Sequence, residues 1–262
     1  MNRFDEADDP RRRLLIKALA AGAFTGALGN KAALAESLFG REPSKLPPGQ
    51  SIYRIDGTVK VNGQEANLTT VIKPNDTIET GPRSGIVFVV GGTSMLMREN
   101  SHLTLEGKEN ANEGVKENAK EGAKEEEGIA SFLIQGFRMI TGKLLTVSRS
   151  KGTAIRTSTA TIGIRGTGYY IESDPEQTYF CTCYGLTDVE ANNDPTSRDT
   201  VASKHHDKPL YILANEKPGQ NIRRASFMNH TDQELMLIET LVGRTTPFVF
   251  SGTQYSAPRR EY

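Results

Sequence analysis

The chain has 262 residues, is 36% apolar and 24% charged, and balances 32 basic side chains against 32 carboxylates. That balance, with no basic stretch interleaved with aromatics, excludes nucleic-acid binding driven by counterion release. With 25 glycines, 12 prolines and no tryptophan, the composition fits a turn-rich β protein better than a helical bundle.

Residues 1–35 read as an export signal with a signal helix rather than as part of the fold. From Arg12 the chain runs R-R-L-L-I-K, similar to the twin-arginine pattern. Next come the mildly apolar Ala18 to Gly29 and an A-x-A cleavage site at Ala33-Leu34-Ala35. A membrane span needs about 20 mostly apolar residues, and this run is shorter and bounded by Lys17 and Lys31. The expectation is a mature chain starting near Glu36, periplasmic, exported already folded and with no stable membrane span after cleavage. Residues 36–51 hold Pro43, Pro47, Pro48 and Gly49 and read as a linker.

From Ile52 the pattern is that of short strands. Val59 and Val61 precede Asn62-Gly63, a strong hairpin signal. Further strands are expected near Thr70–Ile72, Thr77–Glu79, Gly85–Val90, Ser94–Met97 and His102–Leu105, separated by Pro, Gly and Asn pairs. Such spacing predicts an all-β roll, sandwich or β-solenoid rather than alternating α/β. The consecutive apolar residues Ile86 to Val90 predict a strand buried on both faces. Residues 106–128 repeat Lys-Glu pairs around one large apolar residue, Val115, and read as a solvated, charged, low-complexity insertion.

Beyond it, Ala130 to Val147 gives two apolar segments around Gly136 and Gly142, and Arg149 to Gly152 reads as a turn. Thr153 to Ile171 (TAIRTSTATIGIRGTGYYI) is strand-like and broken by Gly163, Gly166 and Gly168. The run D-G-T-V-K-V-N-G from Asp56, D-T-I-E-T-G from Asp76, G-T-S from Gly92, N-S from Asn100, G-K-L from Gly142 and I-R-G-T-G from Ile164 resembles the FecR-domain family. The resemblance covers about Ile52 to Val189. It implies a periplasmic sensory or ligand-responsive module of the kind that relays iron uptake to an anti-sigma domain, with an envelope protein, cell-wall component or small molecule as partner. The segment before the apolar run, about ten residues, is shorter than such a cytoplasmic domain, so the expectation carried over is the module, with the relay left open.

Arg165, with Gly166 and Thr167, is the pivot of the β domain over 52–191. Its guanidinium either donates to backbone carbonyls and fixes the two β blocks, or contacts a carboxylate or saccharide ligand. Thr178 to Ala191 then places Cys181 and Cys183 two apart on a strand and so on one face. In an oxidising compartment these could pair, but i,i+2 on a flat strand strains a disulfide. They could also be small buried hydrophobes. A third reading joins them to His205 and His206 as a tetrahedral zinc or copper site. Haem is disfavoured because C-x-x-C-H is absent.

Residues 192–262 form a C-terminal extension. Asn192 to Lys208 reads as a polar loop and Pro209 to Ala214 as a strand. A helix is expected at about 232–243, opened by a Thr231/Glu234 capping box with Leu235, Ile238, Leu241 and Val242 at helical spacing. His230, just outside it, reads as a packing residue, and 246–262 as a loose tail. No nucleotide-binding glycine loop, H-E-x-x-H or G-x-S-x-G occurs. The expected function is a non-enzymatic FecR-type binding module; the alternative is a periplasmic metal-binding protein.

Overall fold

The structure is a computed structural model and describes residues 43–110 and 131–248. The expected export signal, most of the charged insertion and the end of the tail lie outside the described residues. No described helix is long and apolar enough to cross a membrane.

Among the described residues the fold is all-β, as the strand spacing predicts, with one short C-terminal helix. Thirteen strands join one sheet: β1 (Ile52–Asp56), β2 (Val59–Val61), β3 (Gln64–Glu65), β4 (Thr77–Thr80), β5 (Gly85–Val90), β6 (Thr93–Met97), β7 (His102–Asn110), β8 (Ser131–Arg156), β9 (Ala160–Ser173), β10 (Gln177–Ala191), β11 (Asp194–Ser203), β12 (Leu210–Leu213) and β13 (Ile222–Arg224). The main path runs β13-β12-β10-β9-β8-β7-β4-β2-β3, with β11 on β10 and the β1-β5-β6 ribbon joined to β8. Every pairing is antiparallel. The Asn62-Gly63 hairpin forms between β2 and β3, both residues taking positive φ, 52° and 78°, as a two-residue type I′ turn requires.

Alternation along the long strands sends neighbouring side chains into two separate cores. Ile86, Phe88, Leu144, Tyr169, Ile171 and Phe180 enter the larger core. Val87, Leu145, Val147, Tyr170, Tyr179 and Cys181 enter the smaller one, under the helix. Ile86 to Val90 is accordingly buried on both faces. The helix, α1 (Asp232–Leu241), lays Leu235, Ile238 and Leu241 into the smaller core. Its capping box forms as expected: Glu234 N–H donates to Thr231 Oγ1 (3.2 Å) and Thr231 N–H to Glu234 Oε2 (3.0 Å).

Five expectations need correction. No strand forms at 70–72, although Ile72 is buried and its N–H donates to Ser51 Oγ at 3.0 Å. Arg149 to Gly152 is not a turn: β8 runs through it, absorbing extra residues as bulges opposite β9. The polar stretch after Asn192 is mostly strand β11. Its register on β10 supplies the ladder, and the buried Asp194 collects the hydroxyls of Thr196 and Ser197, the Asn221 amide and the Gly219 N–H. Residues 106–110, assigned to the insertion, belong to β7.

Arg165 is the fifth. It sits on β9 beside the buried Ile164, so alternation turns it outward, and its side chain is 59% exposed. Its Nε and Nη2 donate to Asp188 Oδ2 at 2.8 and 2.5 Å, an ion pair across β9 and β10 instead of a set of carbonyl contacts between two blocks. Gly166 next to it takes φ +81°, and Thr167 is buried with its hydroxyl donating to the Gly168 carbonyl.

Candidate metal centre

Cys181 and Cys183 lie on one face of β10, as i and i+2 must. Both are completely buried and both are free thiols. The register slips between them: Thr182 faces Tyr169 and Tyr184 faces Gly168, so two steps on β10 match one on β9. Cys183 is therefore the extra residue of a bulge, which re-aims it and brings Tyr184 into the same core. Gly168 is what admits this packing, because a Cβ there would lie 2.5 Å from the Tyr184 ring.

Two imidazoles complete the cluster. His206 follows β11 in a bend that the Asp207 carboxylate shapes by accepting from the N–H groups of Lys204 (2.6 Å) and His205 (3.3 Å). His206 takes φ +53° and donates its N–H to the Cys183 carbonyl at 2.9 Å. His230 follows Asn229, itself at φ +61°, and stacks on Tyr170 with ring centres 4.4 Å apart. Left-handed backbone at two non-glycine residues beside the same cluster costs free energy that the surrounding contacts must offset.

The ligand-type atoms Cys181 Sγ, Cys183 Sγ, His206 Nδ1 and His230 Nε2 all lie within 4.8 Å of one another. Cys181 Sγ is 3.4 Å from His206 Nδ1, Cys183 Sγ is 3.4 Å from His230 Nε2, and the two nitrogens are 3.2 Å apart. Zinc bonds of about 2.3 Å to sulfur and about 2.0–2.1 Å to nitrogen, at tetrahedral angles, place sulfur and nitrogen about 3.5 Å and two nitrogens about 3.3 Å apart. Three of the six ligand-to-ligand distances thus match the edges of a zinc-sized tetrahedron, and all six are within 4.8 Å.

The outer ring nitrogens decide what the inner ones can be. His230 Nδ1 is 2.8 Å from the Met228 carbonyl, which can only accept, so that nitrogen carries the proton. His206 Nε2 is 2.9 Å from Asp232 Oδ1 and donates to it. A neutral imidazole holds one proton, so with both rings neutral the two inner nitrogens, 3.2 Å apart, would present lone pairs to each other. Such an arrangement calls for a cation between them, and an imidazole whose far N–H is fixed on a carboxylate or carbonyl is the usual state of a metal-bound histidine. Without a metal, one inner nitrogen must take a proton. Burial works against a Cys181 thiolate, yet hydrogen bonds with Cys183, His206 and His230 hold its pKa well below the usual thiol range. Burial and the neighbouring Cys181 push Cys183 well above it. His206, against its own burial, is raised by Cys181 and Asp232.

The sequence-predicted ligands are therefore sorted. Cys181, Cys183 and His206 come together, while His205 stays outside, its side chain 41% exposed and its Nε2 2.9 Å from Asp232 Oδ2. His230, read from the sequence as a packing residue, takes the fourth position. Cys181, His206 and Asp232 also stand in the order of nucleophile, base and orienting acid. That use is opposed by burial, since Cys181 Sγ has no face left for a substrate.

No family model matches the chain, and no curated protein matches it. Two crystal structures of a candidate anti-sigma factor from Parabacteroides distasonis ATCC 8503 are similar over part of it. Their TM-scores are 0.38 and 0.37 and their identities 11% and 12%; each match covers 57% of this chain and 59% of the other. This chain thus spans less than two thirds of their length.

Proposed function

We propose that the protein is a metal-latched binding module: a tetrahedral divalent ion, zinc by ligand type, held by Cys181, Cys183, His206 and His230, ties the C-terminal helix to the sheet. The observation that carries this reading is the pair of imidazole nitrogens 3.2 Å apart with a cysteine sulfur 3.4 Å from each. Two ligands come from the middle of β10 and two from the chain beyond β11, so one ion would cross-link the sheet to its cap. Four protein ligands leave no open position, which suits a structural or sensory ion better than a catalytic one. Copper meets the same donor set, but a paired-thiolate, paired-imidazole tetrahedron is the commoner zinc arrangement.

The wider role we infer is a non-enzymatic, FecR-type sensory or binding module in the periplasm. It rests on the sequence signatures quoted above, with an envelope protein, cell-wall component or small ligand as partner. Elemental analysis of the purified full-length protein tests the central claim. One zinc per chain is expected, absent from the Cys181→Ser/Cys183→Ser variant. Wild-type protein that is folded by circular dichroism yet contains no metal and takes up none would refute it.

A further inference from the structure

The four inner ligands are closed off from solvent, so an ion needs a route to them. One chain of ligand-type groups leads out. His206 uses Nδ1 toward the sulfurs and Nε2 toward Asp232 Oδ1, and the other oxygen of that carboxylate faces Nε2 of the exposed His205; both contacts are 2.9 Å. His205, His206 and Asp232 form a second cluster whose ligand atoms lie within 4.8 Å of one another, and it shares His206 with the first. Asp232 is only 2% exposed and is the first residue of α1, while the bend at 204–207 sits at the rim.

Resting on the metal reading above, we propose that His205 and Asp232 are a transient divalent-metal site, a loading port where an incoming ion is captured before it passes to the buried tetrahedron. At the port the ion meets one imidazole nitrogen and one carboxylate oxygen, too few ligands to retain it. Inward transfer exchanges them for two thiolates and two imidazoles, and the thiol protons leave to solvent. Asp232 is then free to accept the His206 Nε2–H again, which orients that ring on the bound ion. The same carboxylate thus serves first as ligand and then as positioning group.

Stopped-flow loading of the metal-stripped full-length protein with Co²⁺ alone tests this, because thiolate-to-cobalt charge-transfer absorbance reports arrival at the cysteines and not at the port. Loss of local capture should slow loading of His205→Ala about tenfold at limiting Co²⁺, with final amplitude and spectrum unchanged. His205→Asp, which supplies an oxygen ligand in place of the imidazole nitrogen, should recover most of the rate. Asp232→Asn should load slowly and also bind about 10–100-fold more weakly, since it loses the positioning role as well. Wild-type rates in His205→Ala, with full amplitude, would overturn the port and leave the buried site standing. Loss of the final amplitude in His205→Ala would also overturn it, by making His205 a resident ligand. No charge-transfer band in the wild type would remove the buried site and the port together.

Discussion

On β10, Phe180 enters one core and Cys181 the other. The larger core, with Phe88, Phe137, Ile162, Tyr169 and Phe180, is closed by strand against strand. Its contents are interchangeable in kind: any well-packed apolar set of the right volume would serve. Among the described residues the smaller core has no second layer of strands. It is covered by α1 and the chain leading to it, fastened by specific polar contacts: Tyr179 OH donating to the Ser226 carbonyl (3.0 Å), Asn229 Nδ2 to Glu172 (2.6 Å), Arg98 Nη2 to both Glu234 oxygens (2.9 and 3.0 Å), and Tyr184 OH to the buried Glu239. A helix of ten residues is marginal alone. Stability on this face must come from the contacts beneath the helix, and the Cys-His cluster lies at their centre.

The sharpest way to break the comparison is to remove the metal. An ion that binds only the folded protein stabilises it by about 4 kcal/mol at a free concentration about 1,000 times its Kd. Chelation, or Cys181→Ser/Cys183→Ser, should therefore lower Tm by that equivalent. Hydrogen exchange should show the loss concentrated in α1 and 225–231, with β8 and β9 still protected. Uniform loss across both faces would mean that the ion does not latch the cap. Next in size is Phe137→Ala. This ring is fully buried and stacks on Tyr169 with centres 6.2 Å apart, so its removal should cost about 3–5 kcal/mol in chemical denaturation while metal content stays at the wild-type level. Thr231→Ala, which deletes the capping hydroxyl, should cost about 1 kcal/mol and open the cap more than the sheet.

The larger core was legible because a period of two is written locally. Ile162 and Ile164 share the larger core as their spacing of two predicts, and so do Tyr169 and Ile171. The smaller core was legible only in part. The shared face of Cys181 and Cys183 follows from i,i+2, but their partners lie 25 and 47 residues away, and spacing cannot report contacts made through a third element. Choosing between His205 and His206 needed the bend that Asp207 sets, which brings His206 Nδ1 against Cys181 and leaves His205 exposed on the outer side of Asp232. His230 was set aside because its neighbours spell a helix start. The left-handed Asn229 turns it back under the sheet, and Asn tolerates that conformation without announcing it. β11 was hidden because three of its four buried side chains, Asp194, Ser197 and Ser203, are polar and satisfied by hydrogen bonds, with Val201 the apolar fourth.

Arg165 gives the smallest effect and a lesson in which signal prevails. Its glycine neighbours suggest a crowded pivot, yet the same alternation that buries Ile162 and Ile164 dictates that it point out. Its bond to Asp188 is exposed, with side chains 59% and 39% accessible, so Arg165→Ala should cost less than about 1 kcal/mol. The sign of its pH dependence follows from Asp188. Hydrogen bonds from Thr200 first and Arg165 second hold that carboxyl below its usual pKa, so the stabilisation is present above the ordinary carboxylate range, near 3.9, and is lost as pH falls through the lower folded value. The difference in denaturation midpoint between Arg165→Ala and wild type should accordingly be constant from neutral pH to about 5, shrink below about 4, and narrow in molar salt. A cost of several kcal/mol at neutral pH, insensitive to both acid and salt, would instead make Arg165 the pivot that its glycine neighbours suggest.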